Sequence, residues 1–205
     1  GLASSAGLGT PTRVHLYSQH IRQDNVPDGG VPTIGMPGYY HPTAQVRNAP
    51  RVNRENFYGS ASDYEKVDAD MITAKVEHDL GEKTTLRNVT RWGRSELDRR
   101  MTGIATNNNL VIPNPNDPST WEAPRSRQGV GSNSSVEQHN TILANQTSVR
   151  TEFAGPGGQH TLIAGVELMR EEQEVFLGTA TGTTPNANLY NPDPFQPMAT
   201  LSANG

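Results

Sequence analysis

The sequence predicts an all-β fold, an antiparallel up-and-down meander of about five long strands with one apolar face and one charged face. Three observations carry this. Residues 72 to 80 alternate Ile72, Ala74, Val76, His78 and Leu80 with Thr73, Lys75, Glu77 and Asp79, the period of two that marks a strand with unlike faces. Connections between the patterned segments alternate between long and short. Only 33% of the 205 residues are hydrophobic and the mean hydropathy is −0.66. That is little for a large buried core, but it suits strands that need an apolar residue only at every second position.

The first strand is expected near 12–22, where Val14 and Leu16 alternate with His15 and Tyr17. From 23 to 63 the pattern fails, and repeated Pro and Gly mark a long irregular connection. Strands near 67–80 and 84–103 follow, joined by the short turn Gly81-Glu82-Lys83. A three-residue turn puts Leu86 and Trp92 on the face of Ile72 and Val76, because residues opposite each other on paired strands share a face. A second long connection covers 104–137. The next strand, near 138–153, places Leu143, Thr147, Val149, Thr151 and Phe153 opposite Gln146, Ser148, Arg150 and Glu152. After the turn Gly155-Pro156-Gly157-Gly158, a strand near 160–177 places Leu162, Ala164, Val166 and Leu168 opposite Gly165, Glu167, Met169 and Glu171. The even turn pairs Thr151 with Leu162. Residues 178–205 form a third long connection.

In antiparallel order the long connections all leave one end of the sheet and the short turns the other. Membrane barrels sort their connections in this way, with long outer loops and tight periplasmic turns. No apolar run is long enough for a membrane-spanning helix. Zero cysteines exclude a disulfide scaffold and a thiolate metal site. A net charge of −4 offers no footprint for nucleic acid. The opening GLASSAGLGTPTR and the loop-like end LSANG read as part of something longer.

Catalytic and metal chemistry find no support. The histidines (His15, His20, His41, His78, His139, His160) lack ligand spacing on any one element, and no metal site is expected. Glu171 and Glu172 are adjacent and so point to opposite faces of a strand, a poor acid–base pair. GLGTPT and GVGSNS join no strand to a helix, so neither is expected to cradle phosphate. The chain is expected not to be an enzyme.

Specific stretches resemble a known family. GLGTPTRVHLYSQH with DNVPDGGVP, then NFYGSASDYEKVDADMITAKVEHDLGEKTTLRNVTRWGRSELDR, then NQTSVRTEFAGPGGQHTLIAGVEL are similar to TonB-dependent outer-membrane siderophore receptors of the catecholate type. The resemblance implies a segment of a 22-stranded transmembrane barrel in the bacterial outer membrane. It also implies uptake of a ferric siderophore as transported ligand, no directly bound cofactor, and contact with membrane lipid and the TonB complex. A plug domain, a TonB box and a terminal aromatic strand are not expected within these residues, so TonB contact would run through an N-terminal part outside them. Five strands cannot close a membrane barrel, which needs about eight, and the segment alone is expected not to transport.

Within that frame Lys75, Glu77, Arg87, Arg91, Arg150 and Glu167 are expected to face the lumen, with Glu77 beside Arg87. Ser95 and Arg99 lie in phase with them. Arg99 and Arg100, near the outer end, are candidates for binding an anionic ferric complex through charge and guanidinium hydrogen bonds. Tyr39, Tyr40 and Trp121 are loop aromatics able to stack on a catechol. Phe153, beside a short turn, fits an aromatic girdle at the membrane surface. Two alternatives stay open at this point: a secreted β-rich module binding carbohydrate or another ligand, and a passive porin-like channel.

Overall fold

The computed structural model describes all residues except 105–109, 128–134, 177–178 and 203–205. Parts of the expected connections 104–137 and 178–205, the last residue of the expected strand 160–177 and the glycine-rich stretch GVGSNS therefore lie outside the described residues. In chain order the strands are β1 (Leu2–Ala6), β2 (Thr12–Asn25), β3 (Tyr64–Gly81), β4 (Thr84–Arg100), β5 (Gly103–Ile104), β6 (Glu122–Ala123), β7 (Arg125–Ser126), β8 (Ser135–Gly155), β9 (Gly158–Phe176), β10 (Thr179–Thr181), β11 (Ala187–Asn188) and β12 (Thr200–Ser202). One short helix, α1 (Ala44–Arg47), interrupts the first long connection. Six strands form one sheet that does not close, in the order β1-β2-β3-β4-β8-β9.

The chain divides into two compact units. One comprises Gly1–Arg22, Val67–Glu96 and His139–Glu174; the other comprises Gln23–Lys66, Leu97–Gln138 and Val175–Gly205.

The first unit is sheet. It contains one strand more than the sequence pattern showed: β1 pairs antiparallel with β2, Leu2 opposite Ser18 and Ala6 opposite Val14. Its residues LASSA are too small and short to print a period. The turn between them needs Gly7 at φ 73°, where a Cβ would lie 2.1 Å from the Thr12 carbonyl oxygen. Each of the two tight hairpins leaves only two residues between its strands, Glu82-Lys83 and Pro156-Gly157.

Side-chain contacts fix which faces are shared. Thr85 Oγ1 donates to Asp79 Oδ1 at 3.0 Å, so the odd residues of β3 and β4 share a face. The hydroxyls of Thr84 and Thr151 meet at 2.7 Å, and Gln173 Nε2 donates to Asn140 Oδ1 at 2.9 Å. The even residues of β4 thus align with the odd residues of β8, and the expected apolar face is a single surface across the strands. It carries Leu16, Ile72, Val76, Leu80, Trp92, Leu143, Phe153, Leu162, Val166 and Leu168, all exposed. A water-facing sheet would have to hide a patch of this size. β3, β4, β8 and β9 have 18, 17, 21 and 19 residues, well beyond the ~9–11 that a strand needs to cross a bilayer. Phe153 stacks on His160 beside the second hairpin turn, ring centroids 5.6 Å apart, as an anchor at a membrane surface would.

Four polar residues interrupt the apolar surface, and they satisfy one another. Asn88 Nδ2 donates to Asn145 Oδ1 at 3.1 Å and to Thr147 Oγ1 at 2.7 Å. Asn145 Nδ2 returns bonds to Asn88 Oδ1 at 3.2 Å and Thr90 Oγ1 at 2.7 Å. Thr90 donates to Asn88 Oδ1 and Thr147 to Asn145 Oδ1. Every side-chain donor of the four is used. The ring stitches β4 to β8, the one seam between neighbouring long strands that no tight turn sets after β3.

The second unit contains the core. All the buried hydrophobic residues belong to it: Ile34, Val46, Ala49, Val52, Tyr58, Trp121, Ala123, Ala187, Leu189 and Ala199. They come from all three long connections, which are joined by short ladders such as Ala187 opposite Ala123. These connections carry only short regular elements, yet they are packed. Prolines and glycines suppress long periodic elements, but they do not prevent scattered apolar residues from meeting in a core.

The polar ring predicts a non-additive mutational pattern. Asn88→Val strands the Asn145 amide and should cost about 1–3 kcal/mol, whereas Asn88→Val with Asn145→Val should cost clearly less than the sum of the singles. Urea unfolding of the single and double variants in detergent checks this; additive costs would refute the closed ring.

Candidate functional site

The charged face of the sheet unit gathers residues from several strands. Lys75 Nζ lies 2.8 Å from Glu77 Oε1, and Arg13 Nε approaches Glu77 Oε2 at 3.8 Å. Arg13 also forks onto Asp79, Nη2 to Oδ1 at 2.8 Å. Arg87, Lys75 and Arg91 line one cleft of about 780 Å³ together with Tyr17 and Thr73. A second depression brings Arg13, Glu77, Arg87 and Arg150 together, and Arg150 Nη2 also bonds Glu152. Glu167 is exposed on β9. The five sequence candidates Lys75, Glu77, Arg87, Arg91 and Arg150 thus share a surface with a mixed, largely paired charge. Sequence reading missed Arg13 as their partner. Its odd position on β2, in phase with His15 and Tyr17, was the available signal.

In the second unit, β4 separates the two outer arginines. Neighbours on a strand face opposite ways, so Arg99 remains in phase with Arg87 and Arg91 while Arg100 turns to the other face. Arg99 Nη1 lies 3.7 Å from Glu65 Oε2. The Arg100 guanidinium sits over the Tyr64 ring, 5.4 Å from its centroid, with Lys66 Nζ also 5.4 Å away. Tyr64 donates to Asp98 at 3.2 Å.

Trp121 requires a correction as a ligand candidate. It is 0% exposed; its Nε1 donates to the Asn114 carbonyl at 2.8 Å, and its own carbonyl accepts from Leu189 N at 2.8 Å. With Tyr190 6.4 Å away between ring centroids, no face remains for a ligand. Its large apolar ring is spent on the core. Tyr39 packs half-buried against that core, while Tyr40 is 72% exposed.

Two arginines that sequence reading passed over hold the three connections together. Arg127 and Asp63 form a buried ion pair, Nη2 to Oδ1 at 2.9 Å, with side chains 4% and 0% exposed. Asp63 also accepts from the backbone N–H of Ser60 at 2.9 Å and from that of Thr102 at 2.8 Å. Arg127 donates further to Ser62 Oγ, Thr102 Oγ1 and the Ala199 carbonyl. Arg125 has no carboxylate in ion-pair range among the described residues. It donates instead to the carbonyls of Pro185 at 2.9 Å, Gly59 at 3.3 Å and Tyr58 at 3.4 Å, and to the Gln196 side chain. Burial lowers its pKa, partly offset by Asp63 and Asp193. Burial raises those of Tyr39, Tyr58 and Tyr190, and at Tyr190 the neighbouring Tyr58 and Tyr39 phenols add to the rise. Tyr58 donates to the Leu189 carbonyl and Tyr190 to the Pro50 carbonyl.

Asp63→Asn leaves the Arg127 charge buried without its counter-charge and should cost about 3–5 kcal/mol, while Asp63→Leu with Arg127→Met should recover most of that. Chemical unfolding followed by tryptophan fluorescence reads both. The tyrosines give a pH prediction. Their folded pKa values lie above the unfolded value of about 10, so their contribution is complete below that pH and is lost as pH rises through the folded values. Tyrosinate absorbance should show a late-titrating class; titration of all tyrosines together near the unfolded value would contradict it.

No family model matches the chain. It is 38% identical over 210 aligned residues to the catecholate siderophore receptor Fiu of Escherichia coli O6:H1, covering 100% of this chain and 27% of that receptor. Against Fiu of E. coli K12 the identity is 37% over the same coverage. A probable TonB-dependent siderophore receptor, PiuA of Acinetobacter baumannii, is 32% identical over 105 residues, 48% of this chain and 13% of PiuA. Among solved structures, the ferric-catecholate import receptor Fiu from E. coli K12 superposes in its closed form with a TM-score of 0.85 and in its open form with 0.86. Both are 36% identical and cover 99% of this chain, with 28% and 30% of the receptor covered. The chain therefore spans little more than a quarter of the length of these relatives, and as a segment of such receptors it sits in the bacterial outer membrane. Over its whole length the chain is homologous to a segment of the TonB-dependent catecholate siderophore receptors.

Proposed function

We propose that the chain is the barrel-wall segment, with its outer connections, of a receptor that imports ferric catecholate siderophores. One observation supports this above the rest: identity of 36–38% to receptors of that name over alignments that cover 99–100% of the chain. In this reading lipid covers the apolar face, and Lys75, Glu77, Arg87, Arg91, Arg150 and Glu167 line the lumen. Tyr39, Tyr40 and Arg99 are the sequence candidates that would meet ligand in this reading. Iron arrives already chelated, as cargo rather than as a resident cofactor. Energy comes from the TonB complex through a part of the receptor outside these residues.

The test uses the full-length receptor in a strain deprived of its other catecholate receptors. Uptake of radiolabelled iron as its dihydroxybenzoate complex should appear in the outer-membrane-bound protein and vanish when TonB is deleted. Recovery of the protein in a soluble fraction without detergent, or uptake that is independent of TonB, would overturn the reading.

A further inference from the structure

β4 carries a glycine that its own backbone does not require. Gly93 lies in the interior of the strand, is buried, and does not have a positive φ. Glycine inside a strand weakens it, and often marks a place where another group comes close to the backbone. A Cβ at Gly93 would stand 3.1 Å from Ile142 Cγ2 and 3.7 Å from Met71 Cγ. As an odd residue of β4, Gly93 opens on the charged face, in phase with Arg87 and Arg91.

Gly93 lines a hollow of about 250 Å³ that lies wholly within the first unit. Ile21, Met71 and Ile142 give it an apolar surface, and Gln19, Ser95 and Asn140 give it a polar edge. Asn140 Nδ2 donates to Ser95 Oγ at 3.1 Å, and Asn140 Oδ1 accepts from Gln173 at 2.9 Å. These bonds hold the amide at that edge. Gln19 and Met71 also line the cleft that contains Lys75, Arg87 and Arg91, so hollow and cleft adjoin. Of the carboxylates at the hollow, Asp70 is bonded to His20, and Glu171 belongs to β9, the strand farthest from the cleft.

We propose that Gly93, Met71 and Ile142 form a ring seat on the barrel wall, a subsite that takes one catechol ring of the iron complex and limits the size of ring the receptor accepts. This rests on the receptor reading above. The missing side chain at Gly93 lets a flat ring lie against the strand. Met71 and Ile142 then supply the apolar contact, the thioether being well suited to an aromatic edge. Gln19 and Ser95 carry amide and hydroxyl groups able to meet the ring oxygens. The charged remainder of the complex faces the adjoining cleft, where cations outnumber anions among the lining residues. Selection in such a seat is steric, because a single added methyl or methylene changes the space left for the ring.

The experiment measures binding of the iron(III) dihydroxybenzoate complex to the full-length receptor in detergent, by stopped flow and by equilibrium quenching of tryptophan fluorescence. Gly93→Val fills the seat and should weaken affinity by about tenfold, through faster dissociation with the association rate and its salt dependence unchanged. Met71→Ala removes contact without adding bulk, so it tests the seat even if Gly93→Val does not fold; it should weaken affinity by about fivefold. Ala74→Val, which thickens β3 on its opposite face, should leave binding intact. Wild-type affinity in Met71→Ala, or in a folded Gly93→Val receptor, would overturn the proposal while leaving the receptor reading standing. An equal loss in Ala74→Val would also overturn it, since the strands rather than the seat would then be responsible. Unchanged affinity in Gly93→Val together with a new leak of small solutes through the receptor in liposomes would show that the hollow holds another segment of the receptor, which again overturns the ring seat. Wild-type receptor that binds no complex would instead overturn the receptor reading itself.

Discussion

The pleat of the β-strand is the constraint on which the whole molecule depends. Successive side chains must point to opposite faces, so each long strand here presents two surfaces with different solvents in view. One face of β3 holds Ile72, Val76 and Leu80, and the other holds Lys75, Glu77 and Asp79. With neighbouring strands in register, these become two continuous surfaces, one fit for lipid and one for water. A buried core is unnecessary in such a wall, and the first unit has no buried hydrophobic residue among those described. The low hydrophobic content follows from this arrangement. The polar ring of Asn88, Thr90, Asn145 and Thr147 is tolerated on the apolar surface for a related reason. In an environment without water, polar groups must find partners within the protein, and these four do.

The long connections obey the opposite rule. They build a conventional core around Trp121, Tyr58 and Leu189, and they fasten it with buried polar groups. Asp63 and Arg127 lie 64 residues apart in the chain and meet at 2.9 Å. Their bonds reach residues of all three connections. Arg125 repeats the design with carbonyl oxygens in place of a carboxylate. Both arginines are thereby committed to holding the unit together.

The fold was legible because alternation is a local property. The strands around 72–80, 84–92, 143–153 and 162–168 announce themselves by period, and the turn lengths set which faces coincide. β1 was not legible, since Leu-Ala-Ser-Ser-Ala offers no contrast between faces. The grouping of Lys75, Glu77, Arg87, Arg91 and Arg150 on one face was legible for the same reason that the strands were. The loop residues were read less well. Trp121 looked available because its sequence neighbours are loop-like, yet its environment is made by Asn114, Leu189 and Tyr190.

The sequence by itself determined that this is a two-faced antiparallel sheet with long connections at one end and tight turns at the other. Those features depend only on residue order over a few positions and on the geometry of the pleat. The tertiary structure decided which charges are spent and which remain. Asp63 with Arg127, Arg13 with Asp79 and Arg99 with Glu65 are each set by contacts between segments distant in the chain, and no local pattern encodes such pairing.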